Sequence, residues 1–344
     1  MFNNNEKILI IGKCFTKKNP LLAGGIIILF ESLKKQLNQK KIDYDLIDIN
    51  YKNYSDFKFI SYFKILFKLF FKIKSKEMVM LNVNFHGLLY YSPFILFLKF
   101  FYSFNYSIRI FAGNLDFQYE KSNIFSQKIV EYSIRKCDKI FYETKYLINF
   151  FSRFNENSFW FPNLRDKSNF LTSKSFKKKF VYLGLVRKEK GIDLILNTFK
   201  NLKDYEINIY GPIIDGYIPS EENKLFFENN YRGPIDQSEI TNVLSSNDVL
   251  VLPTFWKGEG YPGVIIEAMS VGLPVIASNM RGIKELLGKD SKNLVDLNIE
   301  DSFLNSVLSI NEKNYKSLRE DSIERFKLFD NEIVMDEIIE LIKK

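Results

Sequence analysis

One histidine and two cysteines in 344 residues leave little room for several kinds of chemistry. His86 stands alone, and Cys14 and Cys137 lie far apart, so no His/Cys set has the spacing of a zinc site and no metal is expected. Two distant thiols form no disulfide framework, which fits a reduced, cytosolic setting better than a secreted one. The stretch MFNNNEKILIIG lacks a basic n-region followed by a long apolar core and a cleavage site, so no signal peptide is expected. No uninterrupted apolar run reaches the ~20 residues needed to span a bilayer. The positive charges follow no recognition motif, so nucleic acid is not an expected partner.

What is present suits a two-domain α/β protein. A chain of this length exceeds the usual single-domain size, and 46% apolar residues can fill two cores. The net charge of +8 implies affinity for anions such as nucleotide phosphates or an acidic lipid surface. The chain concentrates its chemistry in FWKGEGYPGVIIEAMSVGLPVIAS, residues 255–278. The apolar run Val249–Leu252 before it and Pro274–Ala277 within it read as buried parallel strands, with a helix between them that opens at Pro262 and stops at Gly272. Ligands of open parallel sheets sit beyond the carboxyl ends of the strands, which is where Glu259 falls. Glu267 follows in the first turns of the helix, as a partly exposed carboxylate whose loss would leave the fold intact. Paired carboxylates accept hydrogen bonds from vicinal hydroxyls of a ribose or sugar, which points to a nucleotide-sugar. Both acids equally suit a plain helix start, where negative charge is favoured.

Elsewhere, KILIIG ends in a glycine loop whose Gly24 and Gly25 open a helix, a Rossmann-like first unit with amides free for a phosphate. His86 follows the strand Met78–Val83 and is a candidate general base, or else a structural histidine. The strand Ser107–Phe111 leads to Asn114 and Asp116, candidates on the acceptor side. Arg187 and Lys190 stand at a strand-to-helix turn where fixed positive charge can neutralise a diphosphate. Gly211 ends another strand. Residues 168–179 are polar and basic and read as an exposed linker, placing the boundary near 170.

Residues 57–76 are basic and aromatic. Lys64, Lys68 and Lys72 recur every fourth residue on one helical face, and the segment reads as an interfacial helix on an anionic membrane or as a surface helix whose lysine stems cover apolar neighbours. A second aromatic run, 88–104, whose apolar sequence is interrupted by Pro93 and Lys99, reads as a buried helix or as part of the same membrane-facing surface.

EGYPGVIIEAMSVGLPVIAS resembles the Glu-x7-Glu signature of the retaining family 4 glycosyltransferases of the GT-B fold, with Glu259 and Glu267 as its acids. The resemblance implies two Rossmann-like domains facing a central cleft. Residues 1–170 would bind the acceptor and 171–344 the nucleotide-sugar, with the final helix crossing back. It implies that Glu267 binds the ribose, that Glu259 meets the donor sugar, and that Gly260, Gly263, Val264 and the Gly24–Gly25 loop line the donor. Gly211 is counted with them. Relatives carry a histidine after the fourth strand where this chain has Gly113-Asn114 and Asp116, and an arginine where it has Leu185, which leaves Arg187 as the substitute.

The expected activity is metal-independent transfer of a hexosyl or N-acetylhexosaminyl group, with retention, to a lipid-linked saccharide in polysaccharide or O-antigen assembly. No cofactor is expected, the donor being a UDP-linked rather than GDP-linked substrate. The enzyme would sit peripherally at the cytoplasmic face of the membrane. The alternatives are a nucleotide-sugar epimerase of similar fold and a non-enzymatic basic membrane- or nucleic-acid-binding protein.

Overall fold

The computed structural model describes residues 8–16, 25–111 and 113–343. The chain divides into two compact units, Met1–Pro162 with Glu337–Lys344, and Asn163–Asp336. The first holds strands β1 (Ile8–Gly12), β2 (Tyr44–Asp48), β3 (Met78–Val83), β4 (Asn105–Ile110), β5 (Lys139–Tyr142) and β6 (Ser158–Trp160). They form one parallel sheet in the order β2-β1-β3-β4-β5-β6. Every residue of β1 and β3 is buried, as expected of parallel strands covered on both faces.

Two helices of this unit carry most of its exposed aromatic surface. In Lys58–Ile73, Ser61, Ile65, Leu69 and Ile73 recur every fourth residue and are buried. Three such aliphatic side chains stabilise the packed helix by about 1.5–3 kcal/mol each, so its place does not depend on lipid. The lysines lie along the flank of that stripe and lean inwards. Lys64 and Lys72 donate to the carbonyls of Tyr54 and Leu46 at 3.4 and 3.3 Å, and Lys68 lies 4.5 Å from the Tyr54 ring centre. The outward face belongs to Phe59, Phe63, Phe67 and Phe71. The helix Phe85–Phe101 runs through Pro93, its start capped by the Asn84 side chain, and exposes Tyr90, Phe97, Phe100 and Phe101. Pro93 is accommodated within this helix, which Leu88, Tyr91, Ser92, Ile95 and Leu98 anchor on both sides of the proline. Neither helix contains a carboxylate. Among the described residues, no helix is long and apolar enough to cross a membrane.

The second unit holds β7 (Lys179–Leu183), β8 (Glu206–Tyr210), β9 (Tyr231–Gly233), β10 (Val249–Leu252), β11 (Val275–Ser278) and β12 (Leu294–Val295). They too form one parallel sheet, in the order β12-β11-β10-β7-β8-β9. From β7 the chain first builds outwards through β8 and β9, then crosses to β10 on the other side. The carboxyl ends of β7 and β10 are therefore the topological switch point, where ligands of such sheets bind.

The division falls between Pro162 and Asn163. Residues 168–178 are irregular and mostly exposed, as read from the sequence, but they count with the second unit and are pinned to it at Thr172. Thr172 bonds to the Val271 and Gly272 carbonyls, and the Arg319 guanidinium donates to the Thr172 hydroxyl and carbonyl. At the other end, the last turns of the helix Asn331–Lys343 count with the first unit, where Lys139 Nζ donates to the Leu341 carbonyl at 2.8 Å.

Candidate active site

The turn leaving β7 and the loop leaving β10 are stitched together. Gly191 has φ +77°, and a Cβ there would lie 2.0 Å from the Pro253 carbonyl oxygen, so only glycine lets the two segments approach this closely. The Phe255 amide then donates to the Glu189 carbonyl at 2.8 Å, and the Thr254 hydroxyl lies 3.4 Å from the same oxygen. Beneath them, the Ser278 hydroxyl on the neighbouring β11 donates to the Thr254 carbonyl at 2.7 Å. This frame brings the Lys190 ammonium into an ion pair with the Glu259 carboxylate.

Both members of the pair are largely covered, with side-chain exposures of 15% and 10%. Burial, aided by the neighbouring Arg187 guanidinium, pushes the Lys190 ammonium down to about 8. The Glu259 carboxylate in contact with it acts in the opposite sense. Arg187 pairs with Asp215 at 3.1 Å and lies 3.5 Å from Glu189, and its guanidinium stacks on the Trp256 ring at 4.2 Å. The turn thus holds two cations at the carboxyl end of β7, neutralised by carboxylates that an incoming polyanion can displace.

Glu267 differs from its expected state. It lies in the helix Gly263–Ser270 but is only 8% exposed, and its Oε1 accepts from Arg165 Nε at 2.7 Å. It is not the partly exposed carboxylate read from the sequence, because the chain entering the second unit folds over it. Pro262 stands one residue before the helix, and Gly263 opens it. A side chain at Gly263 would collide with the Arg165 guanidinium, and one at Gly282 with the Gly260 carbonyl. Val264 is partly exposed beside them. Gly211 serves the sheet, since a Cβ there would lie 1.8 Å from the Gly184 carbonyl oxygen.

The remaining candidates belong to the first unit. His86 is exposed in the first turn of its helix, edge-on to Phe85 at 5.6 Å. Asn114 precedes the helix Leu115–Lys121 without a side-chain cap bond, and Asp116 is buried within it. Gly25 begins the helix Gly25–Gln39, with open space where a Cβ would be. Gly24 lies outside the described residues. Among the described residues, no group of three or more His, Cys, Asp or Glu side chains could hold a metal ion.

A cavity of about 1200 Å³ opens at the amino ends of β11 and β12, lined in part by Val275, Leu294, Ser302 and Asn305, and none of the residues above lines it. Sequence reading missed Arg165, Trp256 and Thr254. Only Trp256 carried a signal, as one of two tryptophans in the chain, set next to the acidic loop.

Residues 177–312 match the family described as Glycosyl transferases group 1. That span carries Arg187, Lys190, Glu259 and Glu267. The chain is 30% identical over 136 residues to an uncharacterised 41.2 kDa protein in the cps region of Klebsiella pneumoniae, covering 39% of this chain and 36% of that one. It is 41% identical over 75 residues, 22% of this chain and 19% of the other, to a UDP-Gal:alpha-D-GlcNAc-diphosphoundecaprenol alpha-1,3-galactosyltransferase of Escherichia coli. The matches thus span about a third or less of these relatives. In fold, the chain superposes on sucrose-phosphate synthase from Thermosynechococcus elongatus with a TM-score of 0.73 at 15% identity, over 98% of each chain. Anabaena HepE in complex with UDP gives 0.72 at 13% identity, over 98% of this chain and 99% of that one. The architecture is the GT-B fold.

Proposed function

We propose that the protein is a retaining glycosyltransferase that moves a hexosyl or N-acetylhexosaminyl group from a UDP-sugar to a lipid-linked saccharide. The observation that carries this reading is the Lys190–Glu259 pair at the switch point of the second sheet, inside the span that matches the group 1 transferases. In this mechanism the diphosphate draws Lys190 away from Glu259, and Arg187 adds its charge to the same leaving group. The freed Glu259 carboxylate accepts from hydroxyls of the donor sugar, and Glu267 from those of the ribose. The bond from the anomeric carbon to the phosphate oxygen breaks, the acceptor oxygen bonds to that carbon from the same side, and its proton passes to the departing phosphate. Neither a metal nor a cofactor enters. The UDP complex of the HepE neighbour and the UDP-Gal and diphosphoundecaprenol in the name of the E. coli relative favour this donor and acceptor class.

The test mixes the protein and a UDP-sugar with EDTA present, with and without a diphospholipid-linked saccharide. Sugar should transfer only when the acceptor is present, with the donor's anomeric configuration kept. Conversion of the donor alone to its epimer would replace this reading with that of an epimerase. Inversion, or a requirement for added magnesium, would remove the corresponding part.

In this reading the enzyme meets its lipid-linked acceptor peripherally at the cytoplasmic leaflet, an attachment supported by the acid-free helices Lys58–Ile73 and Phe85–Phe101. Exposed phenylalanines would enter the interface and the flanking lysines would meet anionic headgroups. Each lysine near such a leaflet contributes on the order of 1 kcal/mol. Changing Lys64, Lys68 and Lys72 together to glutamine should therefore weaken sedimentation with anionic vesicles by about a hundredfold. Equal sedimentation of triple variant and parent, at low and high salt alike, would leave these helices as ordinary surface.

A further inference from the structure

The short segment Asn163-Leu164-Arg165 straps the loop and helix that carry the candidate acids. The Asn163 side-chain Nδ2 donates to the Tyr261 carbonyl at 2.7 Å, and Arg165 Nε donates to Glu267 Oε1 at 2.7 Å. Arg165 is itself fixed at its backbone. Its amide donates to the Phe329 carbonyl and its carbonyl accepts from the Asn331 amide, both at 2.9 Å. Its Nη1 bonds to the Leu164 carbonyl at 3.0 Å, and its Nη2 lies 2.2 Å from where a Cβ on Gly263 would be. Gly263 has no left-handed φ, so the glycine is required there by space and not by backbone conformation.

We propose that Arg165 is a positioning residue for Glu267 and that position 263 is glycine to admit its guanidinium. The inference rests on the reading of Glu267 as the ribose-binding acid. A glutamate has three side-chain torsions, and leaving them free would cost entropy each time a ligand bound. The single bond from Nε fixes one carboxylate oxygen and leaves the other to accept a ribose hydroxyl, so that cost is met during folding. A fixed buried acceptor also penalises a nucleotide that lacks the hydroxyl, because the acceptor is then left unpaired. Arg165 thereby contributes to selection of ribonucleotides without touching one.

The test compares the affinities of UDP and 2′-deoxy-UDP by titration calorimetry. The parent should favour UDP by about tenfold or more, the scale of one hydrogen bond to a charged group. Glu267→Gln and Arg165→Met should each bring the ratio close to one, mainly by weakening UDP. Arg165→Met strands a buried carboxylate and can unfold the chain. Gly263→Ala keeps both charges and gives the same measurement, with the same loss of selectivity expected. The effects of Gly263→Ala and Arg165→Ala should also be non-additive, the pair being no worse than Arg165→Ala alone, because nothing remains to collide. If the parent binds both nucleotides alike, the ribose role of Glu267 falls and takes the proposal with it. If Glu267→Gln abolishes selectivity while folded Arg165→Met or Gly263→Ala retains it, the proposal alone is overturned.

Discussion

Lys190→Ala should lower kcat/KM for donor transfer by about 2–4 kcal/mol, roughly thirty- to a thousandfold, the scale of removing a preorganised charge from a developing anion. Lys190 is the cation the fold works hardest to place, through the glycine contact, the cross-loop amide and the paired Glu259. The variant also leaves the Glu259 carboxylate nearly buried without its cation, so a loss of about 1–3 kcal/mol in stability should accompany it. Adding Glu259→Gln should restore stability without restoring turnover, which separates the two effects. Lys190→Ala activity within a few-fold of the parent would mean that this charge plays no part in the reaction.

The pH dependence has a definite sign. As pH rises through about 8, Lys190 loses its proton, and kcat/KM should fall with it. In the unfolded chain the same group holds its proton up to its ordinary 10.5. Between those values the unfolded state binds more protons, so this group makes the fold more stable as pH rises, and the loss of activity is not unfolding on its account. In the donor complex the diphosphate favours the charged form, so the limb in kcat should lie at higher pH than the limb in kcat/KM. Lys190→Arg should move both limbs upwards.

Much of this frame was legible because parallel strands buried on both faces must be written as apolar runs, as in Ile8–Gly12, Met78–Val83 and Val249–Leu252. Lys190 and Glu259 were legible as charges at strand exits. Their contact was not, because strand order decides which exits become neighbours and periodicity carries no strand order. Arg165 escaped notice for a related reason: it sits 102 residues from Glu267, just ahead of the stretch 168–179 that reads as linker. In Lys58–Ile73 the lysine spacing was visible, but the apolar residues around it did not reveal which of them faced the sheet. Ile65, Leu69 and Ile73 do so, which turns the phenylalanines outwards and sets the lysines along the flank.

Gly191→Ala should be among the most damaging single-methyl changes in the second unit. An alanine at φ +77° costs about 1–2 kcal/mol in backbone conformation alone. Its Cβ would also meet the Pro253 carbonyl oxygen at 2.0 Å, and a backbone atom cannot rotate aside as a side chain can. The turn must therefore retreat from the loop after β10. A loss of about 2–4 kcal/mol in stability is expected, lowering Tm by about 5–15 °C in a unit of this size. Lys190 moves with the turn, so kcat/KM should drop even at temperatures where the variant is folded. Gly25→Ala, where a Cβ meets open space at a helix start, is the control and should melt within about a degree or two of the parent. Coincident melting curves for Gly191→Ala and the parent would show that the two loops do not make this approach in solution.

The stacking of Arg187 on Trp256 also gives the site an optical consequence. The chain has only two tryptophans, and the other, Trp160, lies in the first unit beneath Lys145. Indole emission responds to charge held against the ring, and the Arg187 guanidinium is 4.2 Å from that of Trp256. A diphosphate that draws Arg187 away removes this charge from the excited ring and changes its colour or brightness. In a Trp160→Phe background the remaining indole becomes an unlabelled gauge of occupancy, so donor binding can be followed in a cuvette before any acceptor has been found.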